Sequence, residues 1–145
     1  MAATQEKTVS QCLFCGIAAG EIPAEVIYDD SNAVAFLDIR PRAPGHTVVI
    51  PRVHRPSVAD LAPSEVGPVF LAVKKMAERL TRVLRADGLT IGINQGAVSG
   101  QSVDHLHIHL LPRFLRDGGG SIHSVVDNPP EKSLAEIAQQ LKATP

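Results

Sequence analysis

Three histidines alternate with apolar residues in the stretch Gly100-Gln101-Ser102-Val103-Asp104-His105-Leu106-His107-Ile108-His109-Leu110-Leu111-Pro112-Arg113. Imidazole titrates near neutral pH, ligates metals through either nitrogen, and attacks electrophiles when neutral. Successive side chains of a strand point to opposite faces, so His105, His107 and His109 share one face while Leu106, Ile108 and Leu110 share the other. A rise of roughly 3.3 Å per residue sets neighbouring imidazoles about 7 Å apart. Two chemistries fit this spacing. Histidines two apart on a strand can both ligate zinc and leave an open position for catalysis. Alternatively, one imidazole attacks an electrophile while its neighbours handle charge and protons. The preceding loop favours the second, because Gly96, Gly100 and Ser102 offer backbone N–H groups and a hydroxyl suited to a phosphate oxygen.

The only two cysteines, Cys12 and Cys15, are separated by two residues. In a reducing compartment that spacing reads as a metal half-site or a redox pair rather than a structural disulfide. The thioredoxin-like context that a redox pair needs is missing from the rest of the chain. Six histidines are available to complete a metal site: His46, His54, His105, His107, His109 and His123.

These groups must be positioned by the elements around them. Residues 12–19 fit a short helix stopped by Gly20 and the Ile22-Pro23 step. Residues 26–28 and 33–37 flank Asp29-Asp30-Ser31-Asn32 and read as a hairpin. Residues 46–50 form a β-branched strand ended by Pro51, with His46 as a buried structural residue. The period then becomes helical over residues 63–85. Val69, Phe70, Val73, Met76, Ala77, Leu80, Val83 and Leu84 take the apolar face, and Lys74, Lys75, Glu78, Arg79 and Arg82 the other. Asp87-Gly88 is expected to end this helix. Strands follow at 89–94 and at 105–111, the latter closed by Pro112. After a flexible turn at 116–120, Asn128-Pro129-Pro130 leads into a final helix with Leu134, Ile137, Ala138 and Leu141 on one side. The expected fold is α+β: an antiparallel sheet with one long helix packed on a face and a C-terminal helix. Residues 1–10 are expected to form a flexible tail, and residues 11–145 a single domain.

Composition narrows the function classes. Of 145 residues, 44% are hydrophobic and 20% charged, enough apolar side chain for a sizeable core. The net charge of −1 provides no basic field for nucleic acid, and four Phe, one Tyr and no Trp provide no base-stacking platform. No apolar run approaches the roughly 20 residues of a membrane helix. The first ten residues do not resemble a secretory leader, so the expected location is the cytoplasm.

His105-Leu106-His107-Ile108-His109-Leu110-Leu111 resembles the His-φ-His-φ-His-φ-φ motif of the histidine-triad (HIT) superfamily of nucleotide hydrolases and transferases. Gly20-Glu21-Ile22-Pro23, Phe36-Leu37-Asp38-Ile39, Gly45-His46-Thr47-Val48-Val49-Ile50-Pro51 and Asn94 match in order, so the resemblance spans roughly residues 12–113. It implies a homodimer that cleaves a P–N or phosphoanhydride bond at the α-phosphate of a purine nucleotide of the AMP type. His107 would be the nucleophile and form a covalent nucleotidyl-histidine, its tautomer fixed by a backbone carbonyl on its other nitrogen. His109 would hold a phosphate oxygen as negative charge builds. Ser102 would stand by the leaving atom, and the backbone of Gly100 and Gln101 with Asn94 would complete a phosphate cradle. Asp38 would accept hydrogen bonds from both ribose hydroxyls. Leu13, Phe14, Ile17 and Ile39 would wall the base.

By the same resemblance to bacterial-type members, Cys12, Cys15, His54 and His105 would hold a closed structural zinc, with no metal required for the chemistry. Ser102 resembles the Hint branch, where an amine departs, whereas Leu111-Pro112-Arg113 is more similar to the Fhit branch. The alternatives implied are therefore a diadenosine polyphosphate hydrolase, or a nucleotide-binding or interaction protein with vestigial activity. His123 follows Gly118-Gly119-Gly120-Ser121 and receives no role.

Overall fold

A computed structural model describes residues 11–143 of the chain; the expected tail at residues 1–10 lies outside them. In order, the elements are α1 (Leu13–Ala18), β1 (Val26–Asp29), β2 (Ala33–Leu37), β3 (Thr47–Pro51), α2 (Pro63–Leu84), β4 (Gly88–Gly92), β5 (Ile108–Arg113) and α3 (Leu134–Ala143). The strands form one sheet in the order β1-β2-β3-β5-β4, and every neighbouring pair is antiparallel. The expected α+β architecture is present.

Alternation along the strands builds two cores, one on each face of the sheet. Ala33, Ala35, Val49, Leu106, Ile108 and Leu110 meet Val69, Ala72, Val73, Met76 and Leu80 of α2. On the opposite face, Val34, Phe36, Val48 and Ile50 meet Cys12, Phe14, Cys15 and Ile17 around α1. The side chains of β2 and β3 are therefore covered from both sides, which explains their unbroken apolar runs. Each fully buried Val, Leu, Ile or Met in these layers contributes about 1.5–3 kcal/mol.

Arg52 fastens α1 to the sheet. Its guanidinium donates to the carbonyls of Asp30 (2.5 Å) and Ala18 (2.6 Å) and pairs with Asp29. On the other face, Arg55 grips Glu65 at 2.7 and 3.0 Å, and Glu65 in turn accepts the Ala62 N–H at the start of α2. The loop carrying His54 is thus anchored to α2.

Several boundaries differ from the sequence-based expectation. The apolar face of α2 is narrower: Val69, Val73, Met76 and Leu80 are buried, but Phe70 and Val83 are exposed. Phe70 lies outside the arc that faces the sheet, and Val83 and Leu84 sit in the last turn, where Leu84 reaches Gly45. The helix stops at Leu84 rather than at Asp87-Gly88, because Arg85 turns the backbone left-handed (φ 55°), and Gly88 already opens β4. β4 closes at Gly92, leaving Ile93 and Asn94 off the ladder.

The triad strand begins at Ile108, and Pro112 lies inside it instead of closing it. Pairing of β5 with β3 ends at Leu110, while the Arg113 carbonyl accepts the Asp87 N–H on the β4 side. The missing N–H of Pro112 therefore faces a position without a partner strand. His105 and His107 precede the strand, held there by the Leu106 N–H donating to the Arg55 carbonyl at 2.6 Å.

One glycine is required by the packing beside the site. Gly45 has φ 81°, and a Cβ there would stand 2.3 Å from Leu84 Cδ1 and 3.4 Å from both Leu80 Cδ2 and Pro112 Cγ. Gly45→Ala is expected to lose about 1–3 kcal/mol from the left-handed backbone and the crowding together. Urea unfolding measures this, and a loss below about 0.5 kcal/mol would contradict it.

Candidate active site and metal centre

The α1 face of the sheet carries the chemistry. Cys12 caps α1, its sulfur accepting the Cys15 N–H, so both thiols turn toward the strands. Cys12 Sγ and Cys15 Sγ each lie 3.5 Å from His105 Nδ1, and Cys15 Sγ lies 3.3 Å from His54 Nδ1. All four donor atoms are within 4.8 Å of one another. A tetrahedral zinc with Zn–S of about 2.3 Å and Zn–N of about 2.05 Å would separate S and N ligands by roughly 3.6 Å. The donor types and spacing therefore fit, and these residues could hold a metal ion.

The contacts behind the donor atoms agree with ligation. His105 Nε2–H donates to the Pro51 carbonyl at 2.8 Å, which leaves Nδ1 with its lone pair toward the cysteines. Burial and the neighbouring Cys12 thiol push the Cys15 thiol up to about 11. Two thiolates can coexist in this space only beside a cation. Burial also lowers His105 to about 4, against the pull of the Pro51 carbonyl, so the imidazole is neutral.

The three histidines do not converge on one ion. His105 belongs to the cysteine cluster, His109 belongs to a second group with Asp38 and His46, and His107 belongs to neither. This arrangement disfavours a catalytic metal held by the triad alone. Side-chain alternation survives as expected, with Leu106 in the α2 core and the histidines on the α1 face. The rings of His107 and His109 are 5.1 Å apart between centroids, closer than the 7 Å of an ideal strand.

His107 is buried, and its Nδ1 lies 2.7 Å from the His105 carbonyl. A carbonyl only accepts, so Nδ1 carries the proton, and in the neutral tautomer the lone pair is on Nε2. Phe14 packs edge-on against the same ring at 5.0 Å and against His105 at 6.0 Å. The nucleophile candidate is thus held by a hydrogen bond along the chain and by an aromatic wall from α1.

Burial, with His107 and His46 adding to it and Asp38 opposing, lowers His109 to about 4. His109 Nδ1 lies 2.9 Å from His46 Nε2, which in turn stands 3.5 Å from the Asp38 carboxylate. His46 is therefore more than the structural residue expected from the sequence. It is buried, but it touches the triad and the ribose candidate together. The signal was its alternation with Val48 and Ile50, which shows on the triad face only once β3 is known to pair with β5.

The other expected contacts divide. Phe14 and Ile17 are core residues, whereas Leu13 and Ile39 (88% exposed) are the open members of the expected base wall. An open depression lies over residues 41–45 and is bordered by Asp38 and His46. The Asn94 amide stands over Gly100, 3.8 Å from where a Cβ would sit. The backbone N–H groups of Gly100 and Gln101 are taken by Ala97 and Gly96 carbonyls, so they do not form an open cradle. Gln101 acts as a brace instead, its amide donating to Pro56 and Val103 carbonyls and accepting the Gly96 N–H. Ser102 is exposed at the end of this loop, next to Val103, which packs on the α1-side core. His123 is exposed and hydrogen-bonded to Ser121.

An antiparallel sheet presenting an imidazole array beside a Cys₂His₂ cluster defines a histidine-triad type of domain. A family model described as the HIT domain matches residues 19–115, two thirds of the chain. The protein belongs to the HIT family. It is 45% identical over 131 residues to an uncharacterized HIT-like protein of Methanocaldococcus jannaschii, covering 90% of this chain and 98% of that one. It is 33% identical over 108 residues to the adenylylsulfatase HINT3 of Arabidopsis thaliana, covering 74% of this chain and 55% of that longer protein. Among solved structures, a zinc-bound histidine triad family protein from Mycobacterium smegmatis superposes with a TM-score of 0.67 at 35% identity, covering 92% of this chain and 98% of that one. Among the described residues, no helix is long and apolar enough to cross a membrane.

The cysteine cluster leads to a direct expectation. Elemental analysis of the purified protein should find about one divalent metal per chain, and Cys12→Ser should lose both the metal and thermal stability. A metal-free protein of unchanged stability would contradict the centre.

Proposed function

We propose that the protein is a nucleotide hydrolase that cleaves a P–N or phosphoanhydride bond at the α-phosphate of a purine nucleotide of the AMP type. The observation that carries this reading is the 2.7 Å contact from His107 Nδ1 to the His105 carbonyl, which places the lone pair of the neutral ring on Nε2, free to attack. Likeness to an adenylylsulfatase supports adenylyl chemistry. Nε2 attacks the α-phosphorus as the bond to the leaving atom breaks, giving a nucleotidyl-histidine. The departing amine takes its proton from Ser102 Oγ–H, which recovers one from water. A second water then attacks phosphorus, frees His107 and releases the nucleoside monophosphate.

The remaining roles follow the same proposal. His109 holds a phosphate oxygen as charge develops. Asp38, just past the end of β2, accepts the ribose hydroxyls through its half-buried carboxylate, one oxygen of which also takes the Arg40 N–H at 2.8 Å. Cys12, Cys15, His54 and His105 would hold a structural zinc, four protein ligands leaving it no position for substrate, and would fasten α1 over the triad. A homodimer is supported by the edge position of β4 and by the exposed apolar Ile91 on that strand.

Turnover of adenosine phosphoramidate, compared with diadenosine tri- and tetraphosphates, tests the reading. His107→Asn should lower kcat by about 10³-fold or more while nucleotide binding persists. Ser102→Ala should cost about 10²-fold on the phosphoramidate and less on the polyphosphates, which have a better leaving group. Near-full activity of His107→Asn would overturn the nucleophile. Preference for the polyphosphates, with equal losses on Ser102→Ala, would move the protein to the dinucleoside polyphosphate reading.

A further inference from the structure

His46 stands between a fixed backbone donor and the last histidine of the triad. The Arg42 N–H donates to His46 Nδ1 at 3.1 Å. A main-chain N–H cannot reverse its polarity, so His46 Nδ1 must be unprotonated and the proton of the neutral ring must sit on Nε2. That Nε2–H points at His109 Nδ1 (2.9 Å), with the Asp38 carboxylate at 3.5 Å as a second acceptor. His109 Nδ1 is then an acceptor, and the proton of its own neutral ring is forced onto Nε2. We infer that His46 is a positioning residue whose hydrogen bond fixes His109 as the Nε2–H tautomer, so that His109 meets the substrate as a hydrogen-bond donor.

The local fold supports each link. Asp38 N–H donates to the His46 carbonyl at 2.9 Å, extending the β2–β3 ladder one step beyond Leu37 and Thr47 and holding His46 and Asp38 side by side. Val48 pairs with His109 across β3 and β5, and His46 lies two residues before Val48 on the same face. Gly45, with its left-handed φ and close approach to Leu84, turns the chain into this position. Burial lowers the titration of both His46 and His109, in keeping with neutral rings.

The same donors could be taken for a second metal site, since Asp38, His46 and His109 offer ligand atoms within 4.8 Å of one another. The Arg42 contact argues otherwise. A metal on His46 Nε2 would move the ring proton to Nδ1, where it would face the Arg42 N–H donor at 3.1 Å. Two donors head-on would break the loop closure, so the trio is a directional hydrogen-bond chain.

The inference deepens the proposed function, because the oxygen that meets Nε2–H belongs to that reading; the tautomer itself does not depend on any substrate. Long-range ¹⁵N–¹H spectra of the imidazoles in the full chain as isolated, without nucleotide, read the tautomers directly. The expected wild-type result is Nε2–H for both His46 and His109. In His46→Phe, which keeps shape but has no N–H, His109 should become a tautomer mixture, and kcat should fall about 10- to 100-fold with KM little changed. His46→Gln, whose side-chain amide can donate where the ring Nε2–H stands, should restore much of both. A wild-type His109 protonated on Nδ1, or one whose tautomer is untouched by His46→Phe, would overturn the inference. If the tautomers are as stated but no nucleotide is turned over, the positioning role stands and the proposed reaction fails.

Discussion

His105 is committed on three sides at once. Its Nδ1 faces the two cysteine sulfurs, its Nε2–H is held by the Pro51 carbonyl, and its own carbonyl accepts the proton of His107 Nδ1. The first two contacts leave the ring only one tautomer and one orientation. The third transmits that orientation along two residues of main chain to the imidazole proposed to react. Were the main chain at His105 free to shift, His107 would lose the carbonyl acceptor that fixes its tautomer. The segment cannot be held by the sheet alone, because the β5 ladder starts only at Ile108. It depends on the cluster on one side and on the Leu106 N–H to Arg55 carbonyl bond on the other.

This arrangement gives α1 its purpose. Six residues cannot sustain a helix unaided. Here Cys12 and Cys15 tie it to His54 and His105, Arg52 ties its C-terminal end to the β1–β2 turn, and Phe14 and Ile17 fill the core beneath. A metal ion bound there would contribute folding energy and fix Phe14 against the His107 ring in the same event. On the far side of the triad a second set of contacts, from Arg42 through His46 to His109, performs the corresponding service with hydrogen bonds alone. The nucleophile candidate therefore lies between two rigid supports, as a reacting group needs if its geometry is to be set before substrate arrives.

Much of this was legible in the sequence where the physics is local. Alternation of His and Leu or Ile separated the two faces of the triad segment, and the 3.6-residue period located α2. The hairpin of β1 and β2 was announced by its polar turn. What escaped is non-local or depends on backbone polarity. The role of His46 needs the pairing of β3 with β5, residues some sixty positions apart, which no periodicity reveals. The Gly100 and Gln101 N–H groups looked free because glycine suggests an open cradle, yet the turn that begins at Gly96 consumes both. Pro112 read as a strand end because it lacks an N–H, whereas β5 outruns β3 just where that N–H would be needed. Phe70 is apolar at helical spacing but falls outside the arc that the sheet covers.

The measurement that bears most directly on the proposed nucleophile is mass spectrometry of the protein after rapid quenching with adenosine phosphoramidate, followed by peptide mapping. The proposed function predicts a mass gain of one adenylyl group, located on His107 and absent from His107→Ala. An adduct on another residue, or steady turnover retained by His107→Ala, would contradict the account.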